Sequence, residues 1–108
     1  MDVFRIQAQL VRHGAPVPGQ HFDLVAGLTS AGFIAQGPWY GVVLDEARHF
    51  PFMLSQNGQC QYEGDRTQLR HCNLVTRRVE SGAVFDLTWE HAQDLYSYQI
   101  LTVSRLNA

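Results

Sequence analysis

The residues of this 108-residue chain whose types could carry chemistry are five histidines, two cysteines and the step Arg12-His13-Gly14. Phosphoryl transfer through a histidine needs more than one imidazole: several cationic donors must meet the charge on the transferring oxygens, and a second proton-transfer group must serve the leaving oxygen. His49, Cys60, His71 and Cys72 have the donor types that hold zinc. Tetrahedral zinc needs four convergent donors, typically supplied as short-spaced pairs. The only close pair here, His71-Cys72, is adjacent in sequence, and neighbours on a strand point to opposite faces. The sequence therefore predicts no metal and no cofactor, with Cys60 and Cys72 as small hydrophobes of the core. A dyad of Cys72 with His49 is formally conceivable, but nothing identifies an oxyanion hole or a third, orienting group.

The segment Leu10 to Gly19, LVRHGAPVPG, with Leu28-Thr29-Ser30-Ala31-Gly32 after it, resembles the motif of the histidine phosphatases. The resemblance implies a nucleophilic His13, an α/β sheet flanked by helices, and a second histidine far downstream, usually followed by glycine. The rest of the chain departs from that pattern. His21, His49, His71 and His91 are followed by Phe, Phe, Cys and Ala. The acidic-then-Thr pair that commonly follows the motif is replaced by Ala15-Pro16-Val17-Pro18-Gly19, and the chain is too short for the family's domain. A hydrolase using His13 is the weakest reading. The residues predict instead that Arg12 and His13 end a strand and lead into a proline-rich turn.

The elements that would position these groups have a period of two almost throughout. Phe4, Ile6, Ala8 and Leu10 alternate with Arg5, Gln7 and Gln9, as in a half-buried strand. Pro16, Pro18, Gly14 and Gly19 interrupt the pattern. Phe22, Leu24 and Ala26 resume it. Residues 28–38 suit either one helical turn or a loop, because Gly32, Gly37 and Pro38 oppose a long helix. A strand over WYGVVLDEA is apolar on both faces around Val42 to Leu44.

Two hairpins are expected. Asn57-Gly58 suits a type I′ turn, which pairs Leu54 with Gln61, Met53 with Tyr62 and Ser55 with Cys60. One face then holds Met53, Tyr62 and Cys60, and the other mixes Phe52 and Leu54 with glutamines. A loop at residues 91–94 pairs Trp89 with Tyr96, Leu87 with Tyr98 and Phe85 with Ile100, segregating large side chains from polar ones.

Six to eight short, mostly antiparallel strands without a long helix predict an all-β single domain over residues 1–108, a small barrel, with a sandwich as the alternative. The ending VESGAVFDLTWEHAQDLYSYQILTVSRL resembles the closing hairpin of the small barrels of translation-factor GTPases. That resemblance covers about a quarter of the chain, carries no functional residue, and favours the barrel. Apolar residues at 45% and charged residues at 17% exclude a disordered chain. A net charge of −2 provides no global field for nucleic acid or an acidic membrane. The first residues lack a signal-peptide pattern, and no run is long enough for a membrane-spanning helix. With only two cysteines, a cytoplasmic location is expected.

The leading functional expectation is a non-enzymatic module that binds another protein. Trp39 and Tyr40, between Gly37 and Gly41, have the large area and low entropy cost of contact residues, although Trp39 suits a barrel plug better. Phe52 and Leu54, on the mixed face, need a cover from elsewhere. The alternative is nucleic-acid binding through Arg66, Arg70, Arg77 and Arg78, with no aromatic residue interleaved among them. Exposed sheet edges make a homodimer the expected state.

Overall fold

Ile6, Ala8 and Leu10 are buried while Arg5 on the same strand is exposed, so the alternation of the first strand sets an inside and an outside for the whole sheet. The computed structural model describes residues 2–62, 69–89 and 95–106. Eight strands run β1 (Val3–Arg12), β2 (Ala15–Gly27), β3 (Trp39–Asp45), β4 (Arg48–Leu54), β5 (Cys60–Tyr62), β6 (Leu69–Cys72), β7 (Val84–Trp89) and β8 (Tyr96–Arg105). Among the described residues a single 3₁₀ turn spans Asn73–Thr76.

All eight strands belong to one sheet in the order β5-β4-β3-β2-β1-β8-β7-β6. Among the described residues the strand pairings are antiparallel, and β1 joins the last strand, β8. The arrangement is an up-and-down meander curled until its edges meet. At the seam, Gln59 bridges His71, and the Cys72 N–H donates to the Gly58 carbonyl at 2.8 Å. The result is a nearly closed barrel, because a single curled sheet hides both edges without a second layer. The sandwich alternative does not hold, since there is one sheet.

Inside, Phe22 is the hub. Its ring centroid lies 5.5 Å from that of Phe52, 4.8 Å from Phe85 and 5.8 Å from Tyr98. Leu24, Val43, Leu54, Leu74, Leu87 and Ile100 complete a filled interior. The end opposite the β1–β2 turn is closed by residues 28–38. There Leu28 bridges Ile34, the Val79 N–H donates to the Gly32 carbonyl at 2.8 Å, and Arg78 Nε donates to the Ala31 carbonyl at 3.2 Å. The segment forms a loop and no helical turn.

Three local expectations need correction. The chain turns at His13-Gly14, before the prolines. Arg12 pairs with Ala15, and both turn residues have positive φ, 53° and 77°, as a type I′ hairpin requires. Both prolines lie within β2. Pro18 is accommodated because Leu10 stands opposite the irregular stretch 17–20, between the Val11↔Pro16 and Gln9↔His21 pairs, where the ladder needs no donor.

The turn at Asn57-Gly58 is not type I′, since only Gly58 has positive φ, 86°. Gly58 N–H donates to Ser55 O, and Ser55 N–H donates to Gln59 O, each at 3.0 Å. These bonds make a three-residue loop with a glycine bulge. Asn57 Oδ1, accepting from the Gln59 N–H at 3.1 Å, favours that choice. The added residue pairs Leu54 with Cys60 and Phe52 with Tyr62, so Phe52, Leu54 and Cys60 share the inner face and Met53 turns outward.

In the last hairpin, Phe85 pairs with Tyr98 and Leu87 with Tyr96, two residues away from the expected register. An even slip preserves the faces, so Phe85, Leu87, Tyr98 and Ile100 still point inward. Asp86 fixes the register. Its carboxylate accepts from Ser97 Oγ at 2.6 Å, and its N–H donates to Asn73 Oδ1 at 2.7 Å. The loop expected at residues 91–94 lies outside the described residues.

Candidate functional site: the outer face of β2, β3 and β4

Strand β3 carries apolar side chains on both faces, and this decides where the candidate site lies. Inward, Val43 joins the core. Outward, the register aligns three rows across the strands: Val25–Tyr40–Met53, Asp23–Val42–Pro51 and His21–Leu44–His49. Tyr40 is 63% exposed and Val25 38% exposed. An antiparallel strand with one solvated face normally alternates apolar with polar residues. Here Tyr40, Val42 and Leu44 all face out, and Val25, Pro51 and Met53 extend the apolar surface to both neighbours.

Gly41 makes this possible. A Cβ at that position would lie 2.5 Å from the Asp23 carbonyl and 2.7 Å from Phe52 Cζ. The missing side chain leaves room for the Phe52 ring inside, while Tyr40 next to it points out. One strand thus serves the core and the surface at once.

Beside these rows is an open depression of about 340 Å³ lined by Arg5, Gln7, His21, Asp23, Leu44 and Leu101 among others. Its polar floor is internally paired. Arg5 Nε donates to Asp23 Oδ1 at 3.0 Å, Arg5 Nη2 to Asp23 Oδ2 at 2.6 Å, and Thr102 Oγ1 to Gln7 Oε1 at 3.1 Å. Leu44 and Leu101 supply apolar walls, Leu101 being 46% exposed. Leu101 sits at the irregularity between the Gln7↔Thr102 and Ala8↔Ile100 pairs.

Of the contact residues expected from the sequence, only Tyr40 stays on this surface with its ring available. Phe52 and Leu54 are 3% and 0% exposed; they belong to the core, and the glycine bulge brings Cys60 to their face in place of the expected glutamines. Trp39 takes the plug role. Its Nε1 donates to the Ala35 carbonyl at 2.7 Å, and its ring packs on the core. Val25, Val42 and Met53, the apolar neighbours of Tyr40 on this face, were not singled out in the sequence. The two-faced run at Val42 to Leu44 carried the signal, and the hairpin register hid Met53.

The chemistry-bearing side chains are dispersed. His13 is exposed in its turn, while His71, whose Nε2 lies 3.2 Å from the Asn57 carbonyl oxygen, stands at the other end. His49 faces out beside Leu44, whereas Cys72 is fully buried. Burial pushes the Cys72 thiol up to about 12 and, with Cys72 nearby, raises Cys60 well above its ordinary value, so neither is a thiolate at neutral pH. Among the described residues, no three of His, Cys, Asp and Glu converge on one point. No described helix is long and apolar enough to cross a membrane.

Arg66 lies outside the described residues, and Arg70 sits in β6. Arg77 and Arg78 are exposed after the 3₁₀ turn, and Arg78 fastens the 28–38 loop. At the barrel's other end, Arg12 lies over the Tyr96 ring at 5.5 Å, and Arg48 approaches Asp45 at 3.6 Å. No family model, no curated protein and no solved structure matches this chain.

Proposed function

We propose that this chain is a non-enzymatic protein-interaction module that docks through the outer face of β2, β3 and β4, with Tyr40 as its central contact. The observation that carries the reading is a β3 apolar on both sides, with Tyr40 63% exposed between Val25 and Met53. Aromatic residues flanked by aliphatic ones are the usual energetic centre of an interface, and a contiguous apolar patch on a small domain marks such a surface. Two unpaired thiols suit work in the reducing cytoplasm.

The test is site-specific photo-crosslinking in the source cell, with the probe at Tyr40 and, as a control, at Val84 on the outer side of β7. The docking reading expects protein adducts from position 40 and few from position 84. Equal adducts from both positions, or none from 40, overturn it.

A further inference from the structure

The two cysteines of the chain lie on opposite sides of the barrel's seam. Cys60 opens β5 and Cys72 closes β6, and the Gln59–His71 bridge joins the chain next to both. Both side chains are buried among the core residues, and they converge on one atom. The Gly58 carbonyl oxygen accepts from the Cys72 N–H at 2.8 Å and from the Cys60 thiol at 3.8 Å. Gly58 permits this approach, since a Cβ there would lie 2.7 Å from the Cys72 carbonyl oxygen. We propose that Cys60 and Cys72 are a redox-sensitive staple across the seam, free in the reduced protein and joined as a disulfide by a low-molecular-weight disulfide oxidant, so that the redox poise of the surroundings sets how firmly the barrel closes.

Gly58 stands opposite Cys72, so Cys60, two residues on, is a diagonal neighbour of Cys72. Diagonal Cα atoms on paired strands lie about 7–8 Å apart, and a disulfide spans up to about 6.8 Å. Closing the bond therefore draws β5 and β6 together by about 1 Å. Strands of three and four residues can make that shift. A bond formed under strain is readily reduced, so the thiols stay free in a reducing compartment and join when it turns oxidising. Buried thiols are protonated and inert, so reaction follows an opening of the seam that hydrates them. One cysteine, as its thiolate, attacks the small disulfide and releases a first small thiol. The other attacks the protein sulfur of that mixed disulfide and releases a second. Two protein S–H bonds and the S–S bond of the oxidant are lost, the Cys60–Cys72 bond forms, and the two protons leave on the two small thiols.

The test is incubation of the folded protein with glutathione disulfide, at the level that oxidises the same chain unfolded in urea. Intact mass is expected to fall by the mass of two hydrogens, and peptide mapping to join Cys60 to Cys72. A cross-link closing a loop of about a dozen residues favours the closed state about 100-fold before strain is deducted. The Cys72 amide is therefore expected to exchange at least about 10-fold more slowly after oxidation, and dithiothreitol to restore the original rate. Cys60→Ser and Cys72→Ser, each checked for folding by its melting curve, lose the mass change, and oxidant no longer slows their seam amides. Two free thiols in the folded protein, where the unfolded chain is oxidised, overturn the proposal. So do products that are only mixed disulfides or chains linked to one another, and so does a Cys60–Cys72 disulfide that leaves the Cys72 amide at its reduced rate.

Discussion

At the scale of single residues, Gly41 and the two thiols show how little space the inner face leaves. Gly41→Ala would press a methyl group against the Asp23 backbone and the Phe52 ring. Neither can retreat without disturbing the ladder or the aromatic cluster. Overpacking of this kind costs about 1–3 kcal/mol, so denaturant unfolding of the variant should show a lowered midpoint with an unchanged slope. The thiols make a pH-dependent prediction. Burial raises both folded-state values above the ordinary 9.0, so the unfolded chain loses its thiol protons first as pH rises. The thiol contribution is intact below about pH 9 and falls above it, by up to roughly 1.4 kcal/mol per pH unit for each thiol. Unfolding measured between pH 8 and pH 10.5 should record that decline, and Cys72→Ala should flatten it in part. Burial likewise raises Tyr98, which adds to the decline at the upper end.

At the scale of elements, the His13-Gly14 turn offers the cleanest test of local preference. A non-glycine residue at φ 53° is held in a conformation that asparagine tolerates better. His13→Asn is therefore expected to stabilise the protein by about 0.3–1 kcal/mol, read as a higher melting temperature. The strands themselves were legible, because Ile6–Ala8–Leu10 and Phe22–Leu24–Ala26 each alternate without interruption. Register was legible only up to parity. Opposite Leu54 one bulged residue put Cys60, rather than Gln61, on the inner face. At Phe85 and Leu87 a two-residue slip changed partners but not sides. The candidate site depended on that parity, which is why Phe52 and Leu54 suggested a surface and proved to be core. Tyr40 stood out by composition alone, whereas Val25 and Met53 became its neighbours only through pairing across strands distant in sequence.

At the scale of the whole molecule, the barrel is unevenly held among the described residues. β1 pairs along its length with β2 and β8, while the β5–β6 seam is secured by the Gln59–His71 bridge and the Gly58–Cys72 bond. Hydrogen exchange should therefore find the slowest amides in β1 and β2, with the Cys72 amide opening well below the global unfolding free energy. Equal protection at Ile6 and Cys72 would contradict this. The pairing of β1 with β8 also has a consequence for the chain as it is made. Thr102 meets Gln7 across 95 residues, so the free margin of the first strand waits, with its donors and acceptors unmatched, until the ribosome has delivered the last. Over that interval a nascent chain has the stickiness of an open sheet. A stop codon ahead of Tyr96 should therefore yield a product that aggregates or is degraded, rather than a slightly smaller folded protein.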